Sequence, residues 1–181
     1  MYQDQLKVNQ DRIAVLIGKN GQEKKRIENK THTKLTIDSN EGDVFVKGNE
    51  SYNVYIARII VLAVSRGFNP SIAINLVNDN YSLEVINIKD FSGKSKTKIM
   101  RIKSRIIGSK GRSKQLLEQL TNTDICIYGK TVSVIGNVEN SVLARRAIEM
   151  LLRGSKHGNV YSWLEKQQQH LREINTHDIL I

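Results

Sequence analysis

The chain carries the same unit twice. IGKNG at 17–21 returns ninety residues later as IGSKG at 107–111. At that offset Ile27 meets Leu117, Thr31 meets Thr121, Thr33 meets Thr123, Leu35 meets Ile125 and Ile37 meets Ile127. Two residues then drop out, and VFVKG at 44–48 aligns with VSVIG at 132–136. One further shift sets ARIIVLAVSRG at 57–67 beside ARRAIEMLLRG at 144–154. The gaps fall between elements, where connecting loops tolerate insertion. A fold for this chain must therefore be a small module that can be built twice.

Each copy reads in the same order. An alternating strand opens it, QLKVN at 5–9 and SLEVINI at 82–88. A short helix follows, RIAVLI at 12–17 and about 95–107 in the second copy, and GxxG interrupts it because glycine accepts backbone angles that end a helix. A second helix is predicted over 22–30 and 112–121, with Leu116, Leu117 and Leu120 on one face. Two strands come next, TKLTID with DVFVKG and DICIY with TVSVIG. A longer helix closes the unit at 50–65 and 138–153, with Val142, Ala147, Ile148, Leu151 and Leu152 at core spacing. The single proline, Pro70 in RGFNPS, marks the join, followed by the apolar SIAINLV at 71–77. After the second copy, 157–174 reads as a helix with Val160, Leu164 and Leu171 on one face and Trp163 beside it. The expected domains are 1–68, then 69–155 with a short leading helix, then a terminal helix and tail over 156–181.

Charge is concentrated. The net charge is +10 with a pI near 9.7, and residues 93–114 contribute nine Lys or Arg and no acid. A general solubility bias would spread such charge; a patch favours an anionic partner. Ile99, Met100, Ile102, Ile106 and Ile107 interrupt the run, so it is expected on a folded, half-buried helix with its cations facing outward.

Strand, helix, GxxG, helix, strand, strand, helix is the order of the type I KH module, and both copies resemble it. The fold class expected is therefore α+β, two tandem type I KH domains plus a C-terminal helix. In that setting glycines let a nucleic-acid backbone come close, and the next helix offers unpaired N–H groups to phosphate. The candidate RNA-facing residues are Gly108, Ser109, Lys110, Gly111 and Arg112, with Lys103, Arg105 and Lys114 close at hand and Ile107 abutting the glycines. The first copy offers Gly18, Lys19, Asn20 and Gly21 in a neighbourhood diluted by Glu23 and Glu28. An apolar groove floor is expected from Ile106, Ile107, Leu116 and Ile125, holding about four single-stranded nucleotides. The second copy is the expected principal site.

RIIGSKGRSKQLLEQLTNT, YGKTVSVIGN and ARRAIEMLLRGSKHGNVYSWLE resemble the partner-of-Nob-one family, also called Dim-two-like, tandem-KH factors of small-subunit ribosome assembly. The compact length looks like the archaeal branch, and GKNG is intact where the first module of eukaryotic relatives is usually degenerate. The resemblance implies binding near the 3′ end of small-subunit ribosomal RNA. It also implies contact with the endonuclease Nob-one and with the alpha subunit of initiation factor two.

Other classes have little support in the residues. His32, His157, His170 and His177 lack metal-ligand spacing, neither GxxG is followed by GK[ST], and Cys126 lies mid-strand as a small hydrophobe. Neither enzymatic activity nor a cofactor or metal is expected. The longest apolar run, IIVLAV at 59–64, is too short to span a bilayer, the N-terminus lacks a secretory pattern, and the cytoplasm is the expected location. Aromatic residues make up 6% and do not interleave with the basic patch, which disfavours a stacking platform. A general RNA-binding regulator and a protein-binding assembly scaffold remain the alternative readings.

Overall fold

The computed structural model describes residues 1–93 and 95–177, with side chains described as far as His170. By packing, the chain divides into two units, Met1–Leu83 and Glu84–Ile181.

The first unit runs β1 (Tyr2–Lys7), α1 (Gln10–Ile17), a 3-10 turn (Lys19–Gly21), α2 (Gln22–Thr31), β2 (Thr33–Ile37), β3 (Asp43–Gly48) and α3 (Ser51–Ser65). Its antiparallel sheet has the order β1-β3-β2, with Leu6 opposite Val44 and Leu35 opposite Val46. Alternation along β3 turns Val44 and Val46 inward, and they are 0% exposed, as are Leu16, Ile27 and Ile60. The short α4 (Pro70–Ala73) and a 3-10 turn (Ile74–Val77) follow. Pro70 sits at the first helical position, and the Asn69 side chain accepts from the Ser71 N–H at 3.0 Å.

The plan repeats: β4 (Tyr81–Asn87), whose first residues Tyr81–Leu83 still fall in the first unit, opens the second, followed by α5 (Lys89–Ser92), α6 (Lys96–Ile107), a 3-10 turn (Ser109–Gly111), α7 (Arg112–Thr121), β5 (Asp124–Tyr128), β6 (Thr131–Asn137) and α8 (Val138–Leu152). The sheet order is β4-β6-β5, and Ile125 pairs opposite Val134. A long α9 (His157–His177) closes the unit, with Val160 and Leu164 fully buried in the same core as Ile106, Leu117 and Ile148.

The turn from the post-GxxG helix into the next strand is built identically in both units. His32 and Asn122 take the left-handed conformation that ends each helix. Glu28 Oε1 accepts the Leu35 N–H at 2.8 Å, and Glu118 Oε1 accepts the Ile125 N–H at 2.8 Å. Hydroxyls of Thr31 and Thr33 share a hydrogen bond of 2.7 Å, matched by Thr121 and Thr123 at 2.8 Å. The paired threonines of the repeat are thus buried turn locks.

Three details differ from the sequence reading. The first strand begins at Tyr2 and stops at Lys7, ahead of Val8 and Asn9. Val142 is 37% exposed, because the core stripe of α8 passes through Leu143 and Ala144 instead. The helical face expected to include Leu171 extends beyond the described side chains. The division by packing falls after Leu83, later than residue 68 where the sequence ends the first domain, so α4 lies with the first unit.

Candidate nucleic-acid interface

The two GxxG loops share one backbone conformation. Gly18 has φ 71° and ψ 177°, and Gly108 has φ 73° and ψ 176°. Asn20 (53°, 27°) and Lys110 (52°, 28°) are both left-handed, as are Gly21 and Gly111. An L-residue in that region costs about 1–2 kcal/mol, less for asparagine, which can bond locally. Lysine has no such relief, so the fold bears this backbone cost at Lys110.

The two glycines of each motif do different work. A Cβ on Gly108 would stand 2.6 Å from Ser113 Cβ, and one on Gly18 would stand 2.6 Å from Glu23 Cγ. The first glycine therefore lets the loop close onto its own helix. A Cβ on Gly21 or Gly111 would meet nothing within 4 Å, so the second glycine leaves an open approach to the backbone. Between them Lys19, Asn20, Ser109 and Lys110 are exposed. Neither α2 nor α7 has a side-chain cap at its start, so first-turn N–H groups face the loop without a side-chain acceptor.

Around GSKG the cations separate by role. Arg112 is exposed beside the loop, while Lys103 is half-buried. Lys114 Nζ donates to Glu118 Oε1 at 2.7 Å, the oxygen that also holds the β5 backbone. Arg105 points elsewhere: its Nε donates to the Leu151 carbonyl at 3.1 Å and its Nη2 to the Ser155 carbonyl, anchoring α6 to the end of α8. On the outer side of α6, Lys96, Lys98 and Arg101 are exposed.

Burial separates the residues expected to floor the groove. Ile106 is 0% exposed and Ile125 3%, so both belong to the core. Ile107, one residue on, is 38% exposed beside the glycines, and Leu116 is half-buried. In the first unit the corresponding hollow is a cleft of about 330 Å³ lined by Ile17, Gly21, Lys24, Lys25, Glu28 and Ile37. Lys24 and Lys25 were absent from the sequence-derived candidates; their positions three and four residues beyond groove-lining Gly21, one helical turn on, were the available signal.

A brace behind GSKG was likewise missed. Tyr161 of α9 donates its hydroxyl to Ser113 Oγ at 2.9 Å, and His157 Nε2 lies 2.9 Å from the Arg105 carbonyl oxygen. Ser113 is the residue on which Gly108 closes. The first unit has Glu23 at this place, with Oε2 buried, unbonded and 3.8 Å from Arg26.

Two three-stranded sheets, each backed by helices and each carrying GxxG between two of them, define a tandem KH protein, a class built around single-strand nucleic-acid grooves. Residues 82–169 match the eukaryotic type KH-domain (KH-domain type I) family, and residues 3–63 match the KH domain family. A KH domain-containing protein of Methanocaldococcus jannaschii is 44% identical over 92% of this chain and 74% of its own length. The RNA-binding protein pno1 of Dictyostelium discoideum is 30% identical over 79% of this chain and 63% of its own. Dim2p of Pyrococcus horikoshii superposes with a TM-score of 0.84 at 45% identity, covering 92% of this chain and 99% of that one. A second structure from that organism, an a/eIF2alpha-aDim2p-rRNA complex, gives a TM-score of 0.85 at 44% identity over 93% of this chain and 95% of that chain. The chain belongs to the partner-of-Nob-one (Dim2-type) family. It spans between 41% and 63% of the length of the eukaryotic relatives it matches.

Proposed function

We propose that this protein binds single-stranded ribosomal RNA during small-subunit assembly, at the 3′ end region, with both GxxG loops gripping the sugar-phosphate backbone. The observation that carries the reading is the GSKG loop: an exposed Ser109–Lys110 pair in left-handed backbone, an open approach at Gly111, an uncapped helix start and Arg112 alongside. Gly108, Ser109, Lys110, Gly111 and Arg112 hold phosphate, while Lys103, Ile107 and Lys114 border the groove. Gly18, Lys19, Asn20 and Gly21 do the same in the first unit, with Lys24 and Lys25 added.

The ribosomal assignment is supported by relatives termed pre-rRNA-processing proteins and by the rRNA complex of the Pyrococcus relative. The initiation factor two alpha subunit is proposed as a partner on that same complex, and the Nob-one endonuclease on family membership. The protein acts as a binding factor and not as an enzyme, in the cytoplasm. No described helix is long and apolar enough to cross a membrane, and no cluster among the described residues could hold a metal ion.

Crosslinking in cell extract followed by sequencing of the bound RNA tests this. Reads should cluster at the 3′ end of small-subunit RNA. Dispersed messenger RNA would replace the assembly role with general regulation, and cleavage of ribosomal RNA by purified protein alone would overturn the non-enzymatic reading.

A further inference from the structure

Within the repeat, Arg26 and Lys30 of α2 occupy the positions that Leu116 and Leu120 hold in α7. In the second unit Leu120 packs on the core that includes Val160 and Leu164, so α9 covers this side of the helix. In the first unit that side of α2 is bordered by the 3-10 turn after α4 and by Tyr81 at the start of β4. An open cleft of about 460 Å³ remains there, lined by Arg26, Lys30, Ile74, Asn75, Asn78 and Tyr81. Lys30 thus stands where the second unit has the core-packed Leu120, and Arg26 where it has Leu116.

The chemistry of this hollow is that of a nucleotide. Arg26 and Lys30 are one helical turn apart, about 6 Å along the axis, so one phosphate can sit between them. Both are exposed; Arg26 pairs with Glu23 at 3.8 Å, a partly exposed i,i+3 ion pair weak enough for a phosphate to displace. Tyr81 is 38% exposed and brings an aromatic ring on which a base can stack, and Asn75 and Asn78 bring amides that can both donate and accept.

The cleft also lies on a route. The opposite edge of α2 supplies Lys24, Lys25 and Glu28 to the hollow beside GKNG. Exposed Lys25 and Asn29 form the crest between the two hollows, so a strand leaving the GKNG groove crosses a cation and meets Arg26. We propose that this cleft is a second RNA subsite of the first unit, taking a phosphate on Arg26 and Lys30 and a base against Tyr81. The inference rests on the reading that the GKNG groove holds RNA.

The test uses the full chain and a fluorescent pool of random-sequence single-stranded RNA. Removing two phosphate contacts in R26Q/K30Q should shrink the affinity loss between 50 and 200 mM salt by about sevenfold. Tyr81→Leu should weaken binding about fivefold or more, and photocrosslinked thiouridine should reach residues 75–81 in the parent protein. Unchanged salt dependence and absent crosslinks there, with crosslinks retained at GKNG, would overturn the cleft and spare the groove. Absence of crosslinks at both would overturn both. Protection of Arg26 and Lys30 by poly-glutamate, but not by RNA, would assign the cleft to an acidic protein and overturn the proposal.

Discussion

Arg105 Nε donates a 3.1 Å hydrogen bond to the carbonyl oxygen of Leu151, and Arg12 Nε does the same to Val64 at 2.9 Å. The acceptors correspond within the repeat, and so do the second pair, Ser155 and Phe68. The donors do not: Arg12 aligns with Ile102, and Arg105 with Val15, one helical turn later. Each unit thus fastens the helix before GxxG to the C-terminal carbonyls of its last helix, where cations are favoured, using an arginine from a different turn.

Arg105→Gln should therefore reduce the stability of the second unit by about 2 kcal/mol, the scale of charged hydrogen bonds to partly buried acceptors. Arg105→Lys should recover less than half, since one ammonium cannot reproduce the two-pronged guanidinium. Urea unfolding monitored by circular dichroism reads both. A large loss of RNA affinity with unchanged stability would place Arg105 in the binding surface instead.

The two glycines of GSKG should separate folding from binding. In Gly108→Ala the new Cβ meets Ser113 at 2.6 Å as well as the left-handed penalty, so the thermal midpoint should fall sharply. In Gly111→Ala only the conformational penalty applies, about 1–2 kcal/mol, and the main effect should be weaker RNA binding through a blocked approach. Paired thermal melts and RNA titrations check the ordering.

Replacing Ser109 and Lys110 together by Asp should abolish RNA binding in filter or anisotropy assays while leaving the circular dichroism unchanged, because both side chains are exposed. The same change at Lys19 and Asn20 should reduce affinity less. Equal losses would give the two units equal rank.

Asp124 supplies a pH-dependent test. Desolvation raises its carboxyl above the ordinary 3.8, Glu118 adds to the rise and Lys114 opposes it. The folded protein then holds this proton more tightly than the unfolded chain, so stability present in acid is lost as pH rises from the ordinary value through the raised one. Asp124→Asn should increase the melting temperature near pH 7 and leave it unchanged near pH 3, where the native group is already protonated.

The repeat, the order of elements and both GxxG loops were legible because each rests on local chemistry: alternation, helical period and the backbone freedom of glycine. Ile106 and Ile107 show where that ends. Adjacent isoleucines look alike in sequence, yet one is 0% and the other 38% exposed, since a step of 100° around a helix separates core from groove. Val142 failed in the same way, displaced by Leu143 and Ala144.

The sequence by itself settled that a basic, twice-built α+β module presents two glycine loops beside helix starts. Only the tertiary structure decided which cations remain available to a ligand. Lys110 and Arg112 stay in solvent, whereas Arg105 meets carbonyls 46 and 50 residues away. A cation's availability depends on what the fold places opposite it, and long-range neighbours leave no periodic trace in the chain.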